Sequence, residues 1–225
     1  MHWLETWLIP TRCVVTGQPS AERDLSARLV ADWKRPKAVC PQCCEPSPLA
    51  QLCGACLSKP PAFDKTQVGF YFDKALVELI HGLKYQNRLA YARILGELLA
   101  DYIEPDGIEA IIAVPLNPKR FRERGYNQAE LIAQSLAKTL NIPYIYQATK
   151  RIKDTPSQTH LNAQQRRKNL KKAFYVNTQK LAGLVNIAIV DDVITTGATM
   201  QSLAEQIKAQ TKIKQIEAWS VAKTK

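Results

Sequence analysis

From Val68 onward, short apolar runs alternate with segments whose apolar residues recur every three or four positions. VGFYF (68–72), AIIAV (110–114), LVNIAIV (184–190) and IEAWSVA (216–222) are short and rich in β-branched or aromatic residues, which predicts strands. IPYIY (142–146) predicts one more short strand. KALVELIHGLKY (74–85) places apolar residues at 76, 77, 79, 80 and 83, the stripe of an amphipathic helix. LAYARILGELLADYI (89–103) predicts a second helix, ended by Pro105 and Gly107. Residues 127–139 predict a third, with its apolar face at 129, 131, 132, 136 and 140, and Ala198–Ala209 a fourth. Strands alternating with helices imply an α/β fold, a parallel sheet covered on both faces.

Residues 10–66 lack this periodicity and are rich in Pro, Cys and charge. Within them, CPQC (40–43) and CGAC (53–56) form two C-x2-C pairs separated by nine residues. A C-x2-C turn presents two thiolates to one ion, and two such turns complete a tetrahedral zinc site. The expected ligands are Cys40, Cys43, Cys53 and Cys56, leaving no open coordination position for chemistry. A disulfide framework is the competing reading, but the start MHWLETWLIP carries Glu5 and lacks the basic and long apolar regions of a signal peptide. Cys13 and Cys44 stand outside the set. The expected organisation is residues 1–66 with a zinc module at about 38–60, then a domain over 67–225. No internal repeat shows in the letters. No apolar run approaches the roughly 18 residues that span a bilayer, so a cytoplasmic protein without membrane insertion is expected.

The net charge of +11 is concentrated in one segment. Residues 115–180 hold 14 Lys/Arg against 3 Asp/Glu, whereas residues 67–114 hold 4 against 7. Such a concentration suits a polyanion, either nucleic acid or a ligand with several phosphates.

The run IAIVDDVITTGATM (187–200) carries the most chemistry. A parallel strand delivers its C-terminal end to the crevice where α/β folds bind ligands. With Val190 as the last apolar residue, Asp191 and Asp192 are expected at its rim, where two carboxylates can accept hydrogen bonds from a ribose diol and help hold Mg2+ through water. Thr195, Thr196, Gly197, Ala198 and Thr199 then lead into a helix N-terminus, whose free N–H groups favour a phosphate. The combination describes a ribose 5-phosphate site.

This string resembles the phosphoribosyl pyrophosphate (PRPP) signature of type I phosphoribosyltransferases. VPLNPKRFRERGYNQAELIA (114–133) and RIKDTPSQTHLNAQQRRKNLKKAF (151–174) are in turn similar to signatures of the ComF competence family, through Val114, Pro115, Leu116, Arg120, Arg124, Gly125, Asn127 and Gln128, then Arg151, Thr155, Gln158, Leu161, Arg166, Asn169, Ala173 and Phe174. The paired C-x2-C module is a feature of the same family. Many relatives carry a further C-x2-C pair near the N-terminus; here Cys13 alone remains, so a second zinc is not expected. The resemblance implies a Rossmann-like phosphoribosyltransferase fold. It implies that Asp191 and Asp192 hold the ribose diol, that Thr195–Thr199 hold the 5′-phosphate, and that Pro115, Leu116 and Asn117, with Lys119, Arg120 or Arg124, receive pyrophosphate. Residues 151–170 would form a flap carrying Thr155, Gln158, Arg166 and Asn169. Asn127 and Gln128 would touch ligand, cap the third helix or buttress the loop. The family role implied is cytoplasmic handling of single-stranded DNA in natural transformation, alongside other DNA-uptake proteins, with Tyr126, Tyr144, Tyr146, Phe121 or Phe174 available for stacking. Catalysis and its acceptor stay open: a nucleotide-salvage transferase acting on a free base or amine is the alternative.

Overall fold

The computed structural model describes residues 11–20, 24–72, 74–152 and 173–224. Four parallel strands form the central sheet: β1 (Lys65–Tyr71), β2 (Ala110–Ala113), β5 (Asn186–Ile194) and β6 (Gln215–Lys223), in the order β1-β6-β5-β2. Pro143–Ile145 lies along the outer edge of β2 through a parallel bridge between Tyr144 and Ile111, so the short strand expected at 142–146 is a single bridge. A small antiparallel pair, β3 (Thr149–Arg151) and β4 (Phe174–Val176), stands beside it and has no counterpart among the expected elements.

Three helices cover one face: α3 (Lys74–Tyr85), α4 (Ala90–Ala100) and α6 (Gln128–Leu140), packing Leu79, Leu83, Leu95 and Leu136 against Val190, Trp219 and Val221. The other face packs Ile187, Ile189, Ile216 and Ala218 against Met200, Leu203 and Ile207 of α7 (Ala198–Gln210). Alternation along β5 explains the division, since successive side chains of a strand point to opposite faces. The helices α4 and α6 approach closely at Gly96, where a Cβ would come within 2.7 Å of the Ile132 carbonyl oxygen and collide with Ser135. A further short helix, α5 (Pro118–Arg124), follows β2. The sequence marks it with Asn117 as N-cap, Pro118 in the first turn and Gly125, left-handed at φ 83°, as C-cap.

The N-terminal region contains a repeat that its letters hide. In the first turn, Cys13 N–H donates to the Gln18 carbonyl, Gly17 N–H to that of Cys13, and Ser20 N–H to that of Thr11, each at 2.8 Å. In the second, Cys40 donates to Glu45, Cys44 to Cys40 and Ser47 to Ala38, each again at 2.8 Å. Gly17 and Cys44 both adopt left-handed backbone, at φ 69° and 59°. Each turn is followed by a five-residue helix, α1 (Ala27–Ala31) with Ser26 at its N-terminal boundary and α2 (Gly54–Ser58) with Cys53 there. One offset, 27 residues, relates every pair. The expectation of no repeat is therefore corrected: Thr16, Ser26 and Leu29 occupy the places of Cys43, Cys53 and Cys56, so the backbone pattern survives where the side chains differ. Both turns dock on the sheet. Cys13, Leu25 and Trp33 join the α3/α4/α6 core, with Trp33 edge-on to Phe70 of β1 at 5.2 Å. Cys44 and Phe63 join the opposite core.

Candidate functional site

Two clusters of chemistry emerge. The first is the cysteine set. The sulfurs of Cys40, Cys43, Cys53 and Cys56 all lie within 4.8 Å of one another, and those of Cys43 and Cys53 are 3.6 Å apart. Four thiolates at about 2.3 Å from one tetrahedral zinc would stand about 3.8 Å apart, so the set can hold a metal such as zinc. Three of these thiols are shifted in different directions. Burial opposes ionisation of Cys40, but the Cys53, Cys43 and Gln42 backbone N–H groups outweigh it and bring its pKa down to about 6. Burial pushes Cys43 up to about 11 and raises Cys56 as well. Cys44, also pushed up to about 11 by burial, faces the apolar core and takes no part in the set.

The second cluster is a cleft of about 1050 Å³ at the C-terminal ends of β2 and β5. Its lining brings together Pro115, Leu116, Asn117, Arg120 and Arg124 from one side, and Asp191, Asp192, Thr195, Thr196, Gly197, Ala198 and Thr199 from the other. Lys84, Lys119 and Arg151 also face it.

The acids do not follow the strand; they belong to it. β5 continues to Ile194, pairing Asp191 with Ser220, Val193 with Ala222 and Ile194 with Lys223. The strand outlasts its apolar run because β6 offers backbone partners along its whole length. Both acids line the cleft, and their side chains lie close enough to interact. Asp192, only 3% exposed, meets Lys84 of α3 in an ion pair and accepts a 3.4 Å hydrogen bond from Gln128 of α6. The Ser220 hydroxyl donates to its carbonyl at 3.0 Å. Asp191 stays partly open to the cleft and accepts from the Asp192 N–H at 2.9 Å. Burial, then the charge of Asp192, lifts its carboxyl well above the usual range, with Lys84 opposing.

The loop after β5 turns at Gly197, left-handed at φ 70°, which is also the N-cap of α7. Gly197 brings no capping side chain to this helix, so its leading N–H groups are left to the cleft apart from one weak bond. Thr196 Oγ1 accepts a long, 3.4 Å bond from the Ala198 N–H.

The opposite wall is organised by asparagines. Asn117 accepts from the Lys119 and Arg120 N–H groups and starts α5. Asn127 caps α6 through the Ala129 N–H, and its amide donates to the buried Val114 carbonyl at 2.9 Å. Asn127 thus buttresses the loop and caps the helix at once. Gln128 accepts from Arg124, whose guanidinium lies 5.4 Å from the Tyr85 ring centre.

Of the residues expected to stack, Phe174 is 2% exposed and belongs to the core, so it presents no ring to a ligand. Tyr126 is tied by its hydroxyl to the Leu83 carbonyl. Phe121 and Tyr146 are exposed, and Tyr85, which sequence reasoning passed over, is 67% exposed beside the cleft. Thr155, Gln158, His160, Leu161, Arg166 and Asn169 lie outside the described residues. Lys84, Ser220 and Lys223 were missed because their signals are tertiary: a lysine in the last turn of an amphipathic helix and polar residues in a buried strand meet the acid strand only in the fold. Among the described residues, no helix is long and apolar enough to cross a membrane.

No protein-family model matches the chain. It is 37% identical over 182 residues to Competence protein F of Haemophilus influenzae, spanning 77% of this chain and 79% of that protein. It is 34% identical over 195 residues to the DNA utilization protein YhgH of Salmonella typhimurium, spanning 83% and 85%. Competence protein ComFC of Bacillus subtilis is 21% identical over 198 residues, spanning 83% and 78%.

Proposed function

Because the chain belongs to the ComF competence family, we propose that it acts in DNA uptake by binding Mg-PRPP in the β2/β5 cleft and single-stranded DNA on the adjoining basic surface. Membership supports the role in competence and DNA uptake. The observation that carries the ligand is the adjacency of an acid pair, an uncapped helix start and a basic wall in one cleft. In this reading the Asp191 and Asp192 carboxylates accept from the ribose diol, while the Thr195–Thr199 backbone and hydroxyls surround the 5′-phosphate. Arg120 and Arg124 face the pyrophosphate, and Mg2+ spreads its charge when bound. For transfer to an acceptor, the same basic wall would stabilise the leaving group, which is electrostatic work. Lys84 pairs with Asp192 and fixes it in place.

Titrating Mg-PRPP calorimetrically into the protein tests this. Wild type is expected to bind, and Asp191→Asn/Asp192→Asn to lose binding; a double variant that binds as wild type does overturns the reading.

For DNA, Lys119, Arg120 and Arg122 lie on or beside α5 with the exposed ring of Phe121 among them, a basic and aromatic surface suited to single strands. Replacing all three by Gln is expected to flatten the log–log salt slope of oligonucleotide binding by about 0.7 for each phosphate no longer neutralised.

A further inference from the structure

The cysteine turn does more than fold itself. Its backbone is bonded into the sheet: Thr66 of β1 donates its N–H to the Pro41 carbonyl at 2.9 Å and its hydroxyl to the Gln42 carbonyl at 2.6 Å. The Gln42 amide reaches the Phe63 carbonyl at 3.3 Å. Phe63 in turn presents its ring to the turn at Gly197, where a Cβ would lie 3.6 Å away. Ala62 N–H donates at 2.7 Å to the side chain of Gln201, in the first turn of α7. A continuous chain of bonded and packed groups therefore runs from the metal-set turn to the loop that opens α7.

A second link is ionic. Lys223, at the end of β6, is only 3% exposed, and its ammonium lies 2.8 Å from the Glu45 carboxylate. The same Nζ donates at 3.2 Å to the Thr195 carbonyl, at the start of the candidate phosphate loop. Glu45 is fixed by the turn itself, since its carbonyl accepts from the Cys40 N–H. A buried ammonium is expensive unless paired, and an apolar residue would serve this strand end better if stability were the only requirement. What Lys223 supplies is a fixed distance between Glu45 in the cysteine turn and the carbonyl of Thr195.

We infer that Lys223 is a positioning residue that couples the cysteine module to the Thr195–Thr199 loop, so that metal binding at Cys40, Cys43, Cys53 and Cys56 sets how well that loop is ordered for a phosphate. Its consequence for ligand affinity rests on the PRPP reading given above; its consequence for loop order does not.

Hydrogen exchange of zinc-loaded protein, followed by mass spectrometry over residues 194–199 and 187–190, tests it. Lys223→Met is expected to speed exchange at 194–199 by about tenfold while leaving 187–190 protected. Glu45→Gln, at a residue whose side chain is 57% exposed and whose loss does not threaten the core, is expected to act in the same direction by a smaller factor. Chelator treatment of wild type should speed the same segment, and chelating the Lys223→Met variant should add less than it does in wild type, because only the link through Phe63 and Gln201 then remains. Unchanged exchange at 194–199 in both variants overturns the coupling. Equal acceleration at 187–190 in Lys223→Met, with none in Glu45→Gln, also overturns it, by showing a general loss of stability. Mg-PRPP titration then separates the two ideas: about tenfold weaker binding by Lys223→Met supports both, whereas failure of wild type to bind overturns the ligand reading and leaves exchange to decide the coupling.

Discussion

The two N-terminal turns share one backbone and differ in what holds them. Around Cys40, four sulfurs gather within 4.8 Å of one another. Around Cys13, the corresponding places are filled by Thr16, Ser26 and Leu29, and Cys13 is a buried residue of the hydrophobic core. Burial opposes its ionisation, and the Thr16 side chain and the Ser26, Thr16 and Val15 backbones nevertheless lower its pKa. The corresponding donors around Cys40 include the backbones of Cys53, Cys43 and Gln42, so the electrostatics repeat as the hydrogen bonds do. The difference teaches that this turn does not need a metal to exist. It needs either four ligands or a core to lean on, and the first turn leans on Trp33, Leu25 and Phe70.

Breaking the metal-set turn should have the largest effect. Structural zinc contributes roughly 10–16 kcal/mol in small zinc-finger peptides, so Cys56→Ser is expected to drop bound zinc from about one per chain to none and to unprotect residues 40–58 in hydrogen exchange. Residues 11–20 should stay protected. Next in size is a transplant. Thr16→Cys/Ser26→Cys/Leu29→Cys completes four cysteines on the first turn, and metal analysis is expected to read about two zinc ions per chain; one ion would break the equivalence of the turns. Cys13→Ala should be smaller. It removes one buried thiol and no metal, and is expected to cost about 1–2 kcal/mol by denaturant unfolding with zinc content unchanged.

The smallest effect separates the two acids by the same question of what holds a charge in place. Asp192 has Lys84; Asp191 has burial and a like charge beside it. Because its pKa is raised on folding, the native state holds the Asp191 proton more tightly than the unfolded chain does. That contribution is full below the unfolded value of about 3.9 and is lost as pH rises through the folded value. Asn mimics the protonated acid, so Asp191→Asn is expected to melt about 2–4 °C above wild type at pH 8, with the gap closing towards pH 4. A constant gap would mean that Asp191 is not strained by charge.

Much of this was legible in the letters. The period of KALVELIHGLKY gives α3 with its bounds, because the residues that bury Leu76, Leu79 and Leu83 also place polar residues on the outer face. The clustered cysteines are legible because a set able to hold a metal leaves few choices of residue and spacing. The helix α5 was available from Asn117, Pro118 and Gly125 but is masked by its many arginines, which give no apolar stripe. The end of β5 was misjudged because hydropathy stops at Val190 whereas backbone pairing with β6 does not. The repeat escaped because most of the likeness lies in backbone hydrogen bonds, which Cys13, Gly17 and Ser20 make as Cys40, Cys44 and Ser47 do, while Thr16 and Cys43 differ in their letters. Lys84 and Lys223 escaped because a buried lysine is recognised by its partners, and Asp192, Glu45 and Thr195 are distant in the chain.

The continuation of β5 through Asp191 and Asp192 has one more consequence. The backbone of the acid pair is locked into the hydrogen-bond ladder of a parallel sheet, with β6 on one flank. The conformational entropy of these two residues is lost when the chain folds, not when a ligand arrives. The site therefore behaves as a ruler with one fixed mark, and the Thr195–Thr199 loop beyond it, outside the ladder, is tied instead through Lys223. Under the PRPP reading proposed above, a ligand that misplaces its diol against that mark cannot be rescued by the acids moving, so tolerance for size is expected at the phosphate end and intolerance at the sugar.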